Sequence, residues 1–469
     1  MPGSRCQTGP VTQPIPTESS PRGQRALTVT LLGGALAIAF EAYGTLTAMP
    51  AAADDLGRVD LYAWAFTGFV IGQVLAIVLA GRLVDRIGPV APLAAGVGVF
   101  IVGLLGAGFA PSMEALLVSR FVQGVGGGAT NLAFMVVVAQ TYGKQERAWL
   151  MSLLSLCWML PGFLGPPISA WITTRFGWQW VFLGIVPFLI AVAIPGIRPL
   201  ARLQRQWDGA PERTDPVPIW AAFAAAAGAA LLQLAGQLLG WQGLIVALVG
   251  LVVLLAGLPV LMPPGFLRFA GGLPAVMSTR LLICGAFFAG ESFLPLLLIQ
   301  MHGFSLGQAG LFLALGSTGW TLGSVVQAWR RFRIRRDRII QIGAVIIAVT
   351  MAVVTMAAWF SVHWVVLAIS FVVGGVGMGL AVSSTSLANM QMSEPHLIGR
   401  NTSSLQVAEG LGNGLVTGAA GGIFAALHLA GDAGVIFAPI YLLATVVGGL
   451  AVLASLRIGP VRNESASVG

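Results

Sequence analysis

The chain has 469 residues, of which 57% are hydrophobic and 9% charged; an ordinary soluble domain carries roughly 25% charged residues. At a mean hydropathy of +0.87, too little polar surface exists to cover a soluble fold, so the composition specifies an all-α, polytopic membrane protein. The formal charge of +8 invites a nucleic-acid partner, but no soluble face gathers the basic residues, and none is expected.

From the N-terminus, residues 1–26 are rich in Pro, Ser, Thr, Gln and Arg and read as a disordered tail. Crossing ~30 Å of hydrocarbon takes ~20 apolar residues. Fourteen stretches qualify: 27–50, 62–80, 92–110, 113–141, 148–172, 179–197, 218–239, 243–263, 275–300, 307–329, 339–360, 363–388, 401–427 and 434–456. The first is too long for a cleavable signal and lacks a small-residue cleavage site. With the N-terminus in the cytoplasm, inside segments hold 22 of the 25 Lys and Arg residues, Arg280 among them. Arg58 and Arg175 fall outside, and Arg120 lies within the fourth span. Basic residues stay inside, so an even span count with both termini cytoplasmic is expected.

The first six spans resemble the last six. Glu41, with Phe40 before it and Pro50 after, answers to Glu291, with Phe288 before it and Pro295 after. The loop from Gly81 to Arg86 answers to the basic run from Arg330 to Arg338. Arg147 and Gly165 repeat as Arg400 and Gly418, each pair eighteen residues apart. The expected organisation is a cytoplasmic tail over 1–26, a six-helix half over 27–197, a cytoplasmic loop over 198–217, an extra helix pair over 218–263, a second six-helix half over 264–457 and a cytoplasmic tail over 458–469. Parallel repeats of this kind place a substrate site between the halves.

Four local patterns carry a family resemblance. Gly81, Leu83, Asp85, Arg86 and Gly88 match G-x-L-x-D-R-x-G after the second span. Arg120, Gln123, Gly124, Gly126, Gly127, Gly128 and Ala129 approach R-x-x-Q-G-x-G-x-A in the fourth. Gly165 and Pro166 keep the start of G-P-x-x-G-G in the fifth, but Ser169 and Ala170 stand in place of two glycines. Glu41, Ala48 and Pro50 keep the spacing of D-x-T-x-x-N-x-A-x-P in the first, without its Thr and Asn. With these the chain resembles the major facilitator superfamily, and within it the fourteen-span drug:proton antiporter branch. The resemblance implies that Asp85 and Arg86 help latch one transport state, that Arg120 takes part in proton coupling, and that the chain exports its substrate. It also implies a multi-pass protein of the plasma (inner) membrane that uses the proton gradient and no cofactor. The implied partners are a small-molecule substrate, protons and membrane lipids, with the monomer as the working unit.

A midspan charge is costly unless paired or wetted. That singles out Arg120, Glu41, Glu291 and Glu409. Burial raises a carboxyl pKa, which suits the three acids to load and release protons near neutral pH; each could instead be a neutral acid bonded across helices. Arg120 could equally be a structural partner for a neighbouring carboxylate or carbonyl. A proton crossing 100 mV supplies about 2.3 kcal/mol, so no ATP is needed. Gln73, Asn131, Gln300, Asn389, Gln406 and Asn413 are candidate cavity amides, although such groups commonly join helices. Phe40, Tyr43, Trp158, Phe293 and Trp320 could wall a cavity for a lipophilic cation, or simply pack. Trp171, Trp178, Trp180, Trp220, Trp241, Trp359 and Trp364 suit interfacial belts. The four histidines and three cysteines form no metal-ligand spacing, and Lys144 starts no phosphate loop.

The favoured expectation is proton-coupled export of amphipathic, in part cationic, small molecules or drugs. The alternatives are an exporter of one metabolite or lipid, and a non-transporting receptor or scaffold. An enzyme is not expected, since no nucleophile–base set, metal cluster or phosphate cradle is present. No chemistry is expected of the extra pair.

Overall fold

The computed structural model describes residues 21–142, 144–205, 218–238, 241–328, 334–394 and 397–461. The tail over 1–20, most of the 198–217 loop, Arg330, Arg331, Arg333, His396 and residues 462–469 lie outside that set, as does the side chain of Asp85.

Hydrocarbon offers no partner to a backbone N–H or C=O, so each apolar run closes its bonds internally as a helix. The N-terminal half comprises α1 (Pro21–Asp55), α2 (Trp64–Ile87), α3 (Val90–Gly108), α4 (Met113–Thr141), α5 (Lys144–Phe176), α6 (Gln179–Leu183), α7 (Ile185–Ala193) and α8 (Ile197–Arg205). The extra pair is α9 (Ile219–Ala235) and α10 (Trp241–Leu261). The C-terminal half comprises α11 (Leu273–His302), α12 (Leu306–Ala328), α13 (Arg336–Trp359), α14 (Trp364–Met392), α15 (Ile398–Leu427) and α16 (Ala433–Ser455). No strand occurs among the described residues.

Each of the fourteen expected stretches falls on helix, and twelve described helices are long and apolar enough to cross a membrane. Those twelve do not include α5 or α9, and α9 has only 17 residues. The sixth stretch is not one smooth helix. Gly184 separates α6 from α7, and a short turn through Pro195 and Gly196 separates α7 from α8. Leu200 and Leu203 of α8 pack on the bundle, while Arg198, Arg202 and Arg205 form an exposed stripe.

The same neighbours meet in both halves: α1 with α5 and α11 with α15, α2 with α4 and α12 with α14, α3 with α4 and α13 with α14. Glycine permits the closest of these approaches. A methyl at Gly124 on α4 would lie 1.9 Å from the Phe69 carbonyl on α2, and one at Gly375 on α14 would lie 2.4 Å from the Gly316 carbonyl on α12. Small residues let helix backbones pack this tightly. The halves meet along α2–α15 and α5–α12. The extra pair packs on the first of these seams: α9 touches both α2 and α15, and Gly236 sits against Gly422. At the other end of the pair, Ser404 of α15 donates to the Leu261 carbonyl at 2.7 Å.

Candidate functional site

A cavity of about 1690 Å³ lies between the halves. Its wall runs to Thr30 and Leu31 of α1, Val90 and Ala91 of α3, Gln204 of α8, Met390 of α14 and Thr402 of α15. These residues mark the end at which α1 begins, the end expected to face the cytoplasm from the distribution of basic residues. Toward the other end the wall stops at Leu46, Phe66 and Ser292.

In the N-terminal half, Glu41 and Arg120 form one buried ion pair between α1 and α4. Arg120 also donates to Gln123, one turn along α4, and to the Ala65 carbonyl of α2 at 2.9 Å. Its guanidinium lies over the Phe69 ring, 4.7 Å from the centroid. Gln123 in turn donates to the Gly103 carbonyl of α3 at 3.1 Å. Glu41 accepts a second bond from Thr45 at 2.9 Å through the oxygen that meets Arg120. Its Oε2 is buried without a partner. The midspan arginine thus ties four helices, and its charge is balanced.

In the C-terminal half, Arg280 of α11 meets Glu409 of α15 at 2.8 Å. Arg280 also donates to the Val382 carbonyl at 2.6 Å and to Thr385 at 2.7 Å, both on α14. The partition of basic residues puts Arg280 on an inside flank; the structure instead buries it within α11, where it lines the cavity. Its closeness to a helix end makes it resemble the flank charges in sequence. Its spacing carries a usable signal: Arg280 precedes Glu291 by eleven residues, close to three helical turns, which places both on one face. Glu409 keeps 33% of its side-chain surface exposed.

Glu291 differs from both. It lines the cavity, and among the described residues no cation or hydrogen-bond donor meets its carboxylate. The two acids related by the repeat are therefore not equivalent: Glu41 has an arginine and Glu291 has none.

Tyr43, Gln73, Asn131, Trp158, Trp320, Asn389, Gln406 and Asn413 all line this cavity. Both amide atoms of Asn389 are buried without partners. Gln300 and Phe40 do not reach the wall. Phe293, expected there, is fully buried beyond the end of the cavity against Tyr62 and Phe424. A step of two residues rotates by about 200° around a helix, which turns Phe293 away from the face of α11 that carries Glu291. Trp178, expected in an interfacial belt, is also buried and donates to Asp55 at 2.9 Å.

The loop and fifth-span residues shape the frame. Gly88 ends α2 at φ 84°, a conformation suited to glycine. Gly81 only touches Leu132, while Asp85 and Arg86 occupy the last turns of α2. Gly165 packs beside Tyr43 of α1, and the Pro166 carbonyl lies against Gly310 of α12, where the halves meet. Ser169, which stands in place of a glycine of the resembled pattern, donates to the Gly44 carbonyl of α1 at 2.7 Å. The departure supplies a polar tie at the same α1–α5 contact.

The sequence profile of the Major Facilitator Superfamily matches residues 31–417. The chain belongs to that family. Among curated relatives, an uncharacterized MFS-type transporter of Mycobacterium tuberculosis is 30% identical over 190 residues, 39% of this chain and 28% of that protein. The multidrug transporter protein MdtP of Bacillus subtilis is 29% identical over 174 residues, 36% of this chain and 32% of that protein. The chain thus spans less than a third of the length of these relatives. A "Probable multidrug-efflux transporter" of M. tuberculosis is 23% identical over 314 residues, 64% of this chain and 65% of that protein. Among solved structures, a peptide transporter POT in complex with sulfate superposes with a TM-score of 0.67 at 14% identity, over 95% of this chain and 96% of the other. A D-xylose-proton symporter superposes with a TM-score of 0.63 at 16% identity, over 94% and 98%. At such identities the superpositions speak for the fold alone.

Proposed function

We propose that the protein is a secondary active exporter that exchanges amphipathic small molecules, cations among them, for external protons. It works in the plasma (inner) membrane by alternating access, with both termini cytoplasmic and with α5 and α9 crossing the bilayer as well, fourteen crossings in all. The observation that carries this reading is Glu291, an acid on the wall of a large, mostly apolar cavity, without a cation beside it.

In the inward-facing arrangement an ionised Glu291 attracts a cationic substrate, and Tyr43, Trp158 and Trp320 give its apolar part a surface. Substrate and proton compete for one carboxylate. The halves then rock, the cavity opens outward, and an external proton discharges the substrate. Glu41 serves a different role: it balances Arg120, so that α1 and α4 move as one body. Glu409 remains partly accessible and paired with Arg280. Relatives that bear multidrug names support the choice of amphipathic substrates.

A second reading, export of one metabolite or lipid, is favoured by Asn389, whose unpartnered amide at the cavity wall suits a substrate that forms directed hydrogen bonds. Proton flux in energised, everted vesicles tests both. A panel of lipophilic cations should trigger proton release in the wild type and none in Glu291→Gln. Release by a single polar metabolite or lipid, and by no cation, would favour the second reading. No proton movement with any compound, from folded protein, would sink proton exchange altogether.

A further inference from the structure

The outer end of the bundle is shut by rings. Tyr62, just ahead of α2, lies 5.5 Å from Phe293 of α11 and 6.4 Å from Phe424 of α15, centroid to centroid. Phe293 and Phe424 are themselves 5.5 Å apart. Beside them Ala63 sits so close to Gly421 that a methyl there would lie 2.3 Å from its side chain. Within this apolar plug, among the described residues, one polar contact joins the halves. The buried Tyr62 hydroxyl donates to the Ser292 carbonyl at 2.7 Å.

Ser292 follows Glu291 and precedes Phe293, so coupling acid, bond acceptor and plug aromatic are consecutive on α11. The helix is weak at this point. Pro295 has no N–H, so the Glu291 carbonyl lacks its usual donor four residues on. Gly290 stands immediately before the acid, and helices bend where proline and glycine loosen the ladder. A second phenol, Tyr441 of α16, donates to the Gly290 carbonyl at 3.0 Å, but within the C-terminal half.

We propose that the Tyr62–Ser292 hydrogen bond is the latch of the outer gate, and that the Gly290–Pro295 segment is the hinge through which a change at Glu291 releases it. Tyr62 is thus a positioning residue of the transport cycle. The hinge half of this inference rests on Glu291 as the coupling acid. For the cavity to open outward, α2 must part from α11 at Tyr62. Neutralising or occupying Glu291 alters how the cavity-facing turn of α11 sits, and the carbonyl one residue on moves with it. Phenol and carbonyl both gain water once the plug parts, so the latch is strong enough to bias the gate without freezing it.

The test is a distance distribution across the outer end. Spin labels are attached at Asp54→Cys and Leu429→Cys, both exposed sites, with Cys6 and Cys157 replaced by Ser. Tyr62→Phe keeps the ring contacts and removes only the bond. It should raise the ratio of outward-open to closed molecules about threefold, the worth of a typical intramembrane hydrogen bond. Tyr441→Phe removes the same kind of bond to a carbonyl of α11, at the edge of the hinge and without bridging the halves, and should shift the ratio less than Tyr62→Phe does. Glu291→Gln should shift the ratio by itself, and less so in the Tyr62→Phe background. Equal shifts from both tyrosine variants, or no shift from Tyr62→Phe, would overturn the latch. Additive effects of Tyr62→Phe and Glu291→Gln would overturn the hinge. The readout needs no substrate, so it is independent of whether export is observed. A Tyr62→Phe shift with Glu291→Gln silent would support the latch and count against Glu291 as the coupling acid.

Discussion

Arg120 is held by Glu41, Gln123, the Ala65 carbonyl and the Phe69 ring. Removing one member of a buried ion pair leaves an uncompensated charge and costs roughly 3–5 kcal/mol. Glu41→Gln and Arg120→Gln are each expected to lower the melting temperature in detergent and the yield of folded protein. The double variant buries no net charge and should recover part of that loss. A double variant less stable than either single would show that the pair is not the main contribution. The arginine is legible from its span and the pattern around it. Its partner is not, because the two lie 79 residues apart and only the α1–α4 approach brings them together. Arg280 is the opposite case: a flank charge by its place in the sequence, it becomes a cavity residue because α11 already starts at Leu273.

At the scale of helices, glycine carves the grooves that bring α4 onto α2 and α14 onto α12. Gly124→Ala would drive a methyl into the Phe69 carbonyl. The backbones must then separate, at a cost of about 1–3 kcal/mol. Gly98 of α3 has nothing within 4 Å of the corresponding position, so Gly98→Ala should leave stability unchanged or slightly improved. Thermal unfolding of the two variants side by side checks this; equal losses would mean that helix propensity, not close approach, explains the first. The extra pair shows what periodicity alone could not supply. Its runs are legible as apolar helix, but α9 and α10 carry no charge to orient them. Their seat on the α2–α15 seam follows from Gly236 meeting Gly422 and from the apolar cluster shared with Val70, Val74 and Leu411.

For the whole molecule, a wide vestibule at one end and an aromatic seal at the other suit the inward-facing state of the proposed cycle. Ala94→Cys and Met390→Cys, both exposed on the cavity wall, are expected to react with a membrane-impermeant maleimide in inside-out vesicles and not in intact cells. Leu429→Cys should behave in reverse. The opposite pattern would invert the orientation deduced from the basic residues.

Class, helix positions and the few midspan charges were determined by the sequence itself. Hydrocarbon imposes helices on apolar runs and makes every buried charge conspicuous, so both features are local and legible. The tertiary structure alone decided which charges are paired. Glu41 and Glu291 hold matching places in the repeat, yet one faces Arg120 and the other faces the cavity. It also moved Phe293 from the expected wall to the aromatic plug beyond the cavity and brought Tyr62 to Ser292, 230 residues apart. Pairing and closure depend on which helix faces lie opposite one another, and that is set by packing between distant segments.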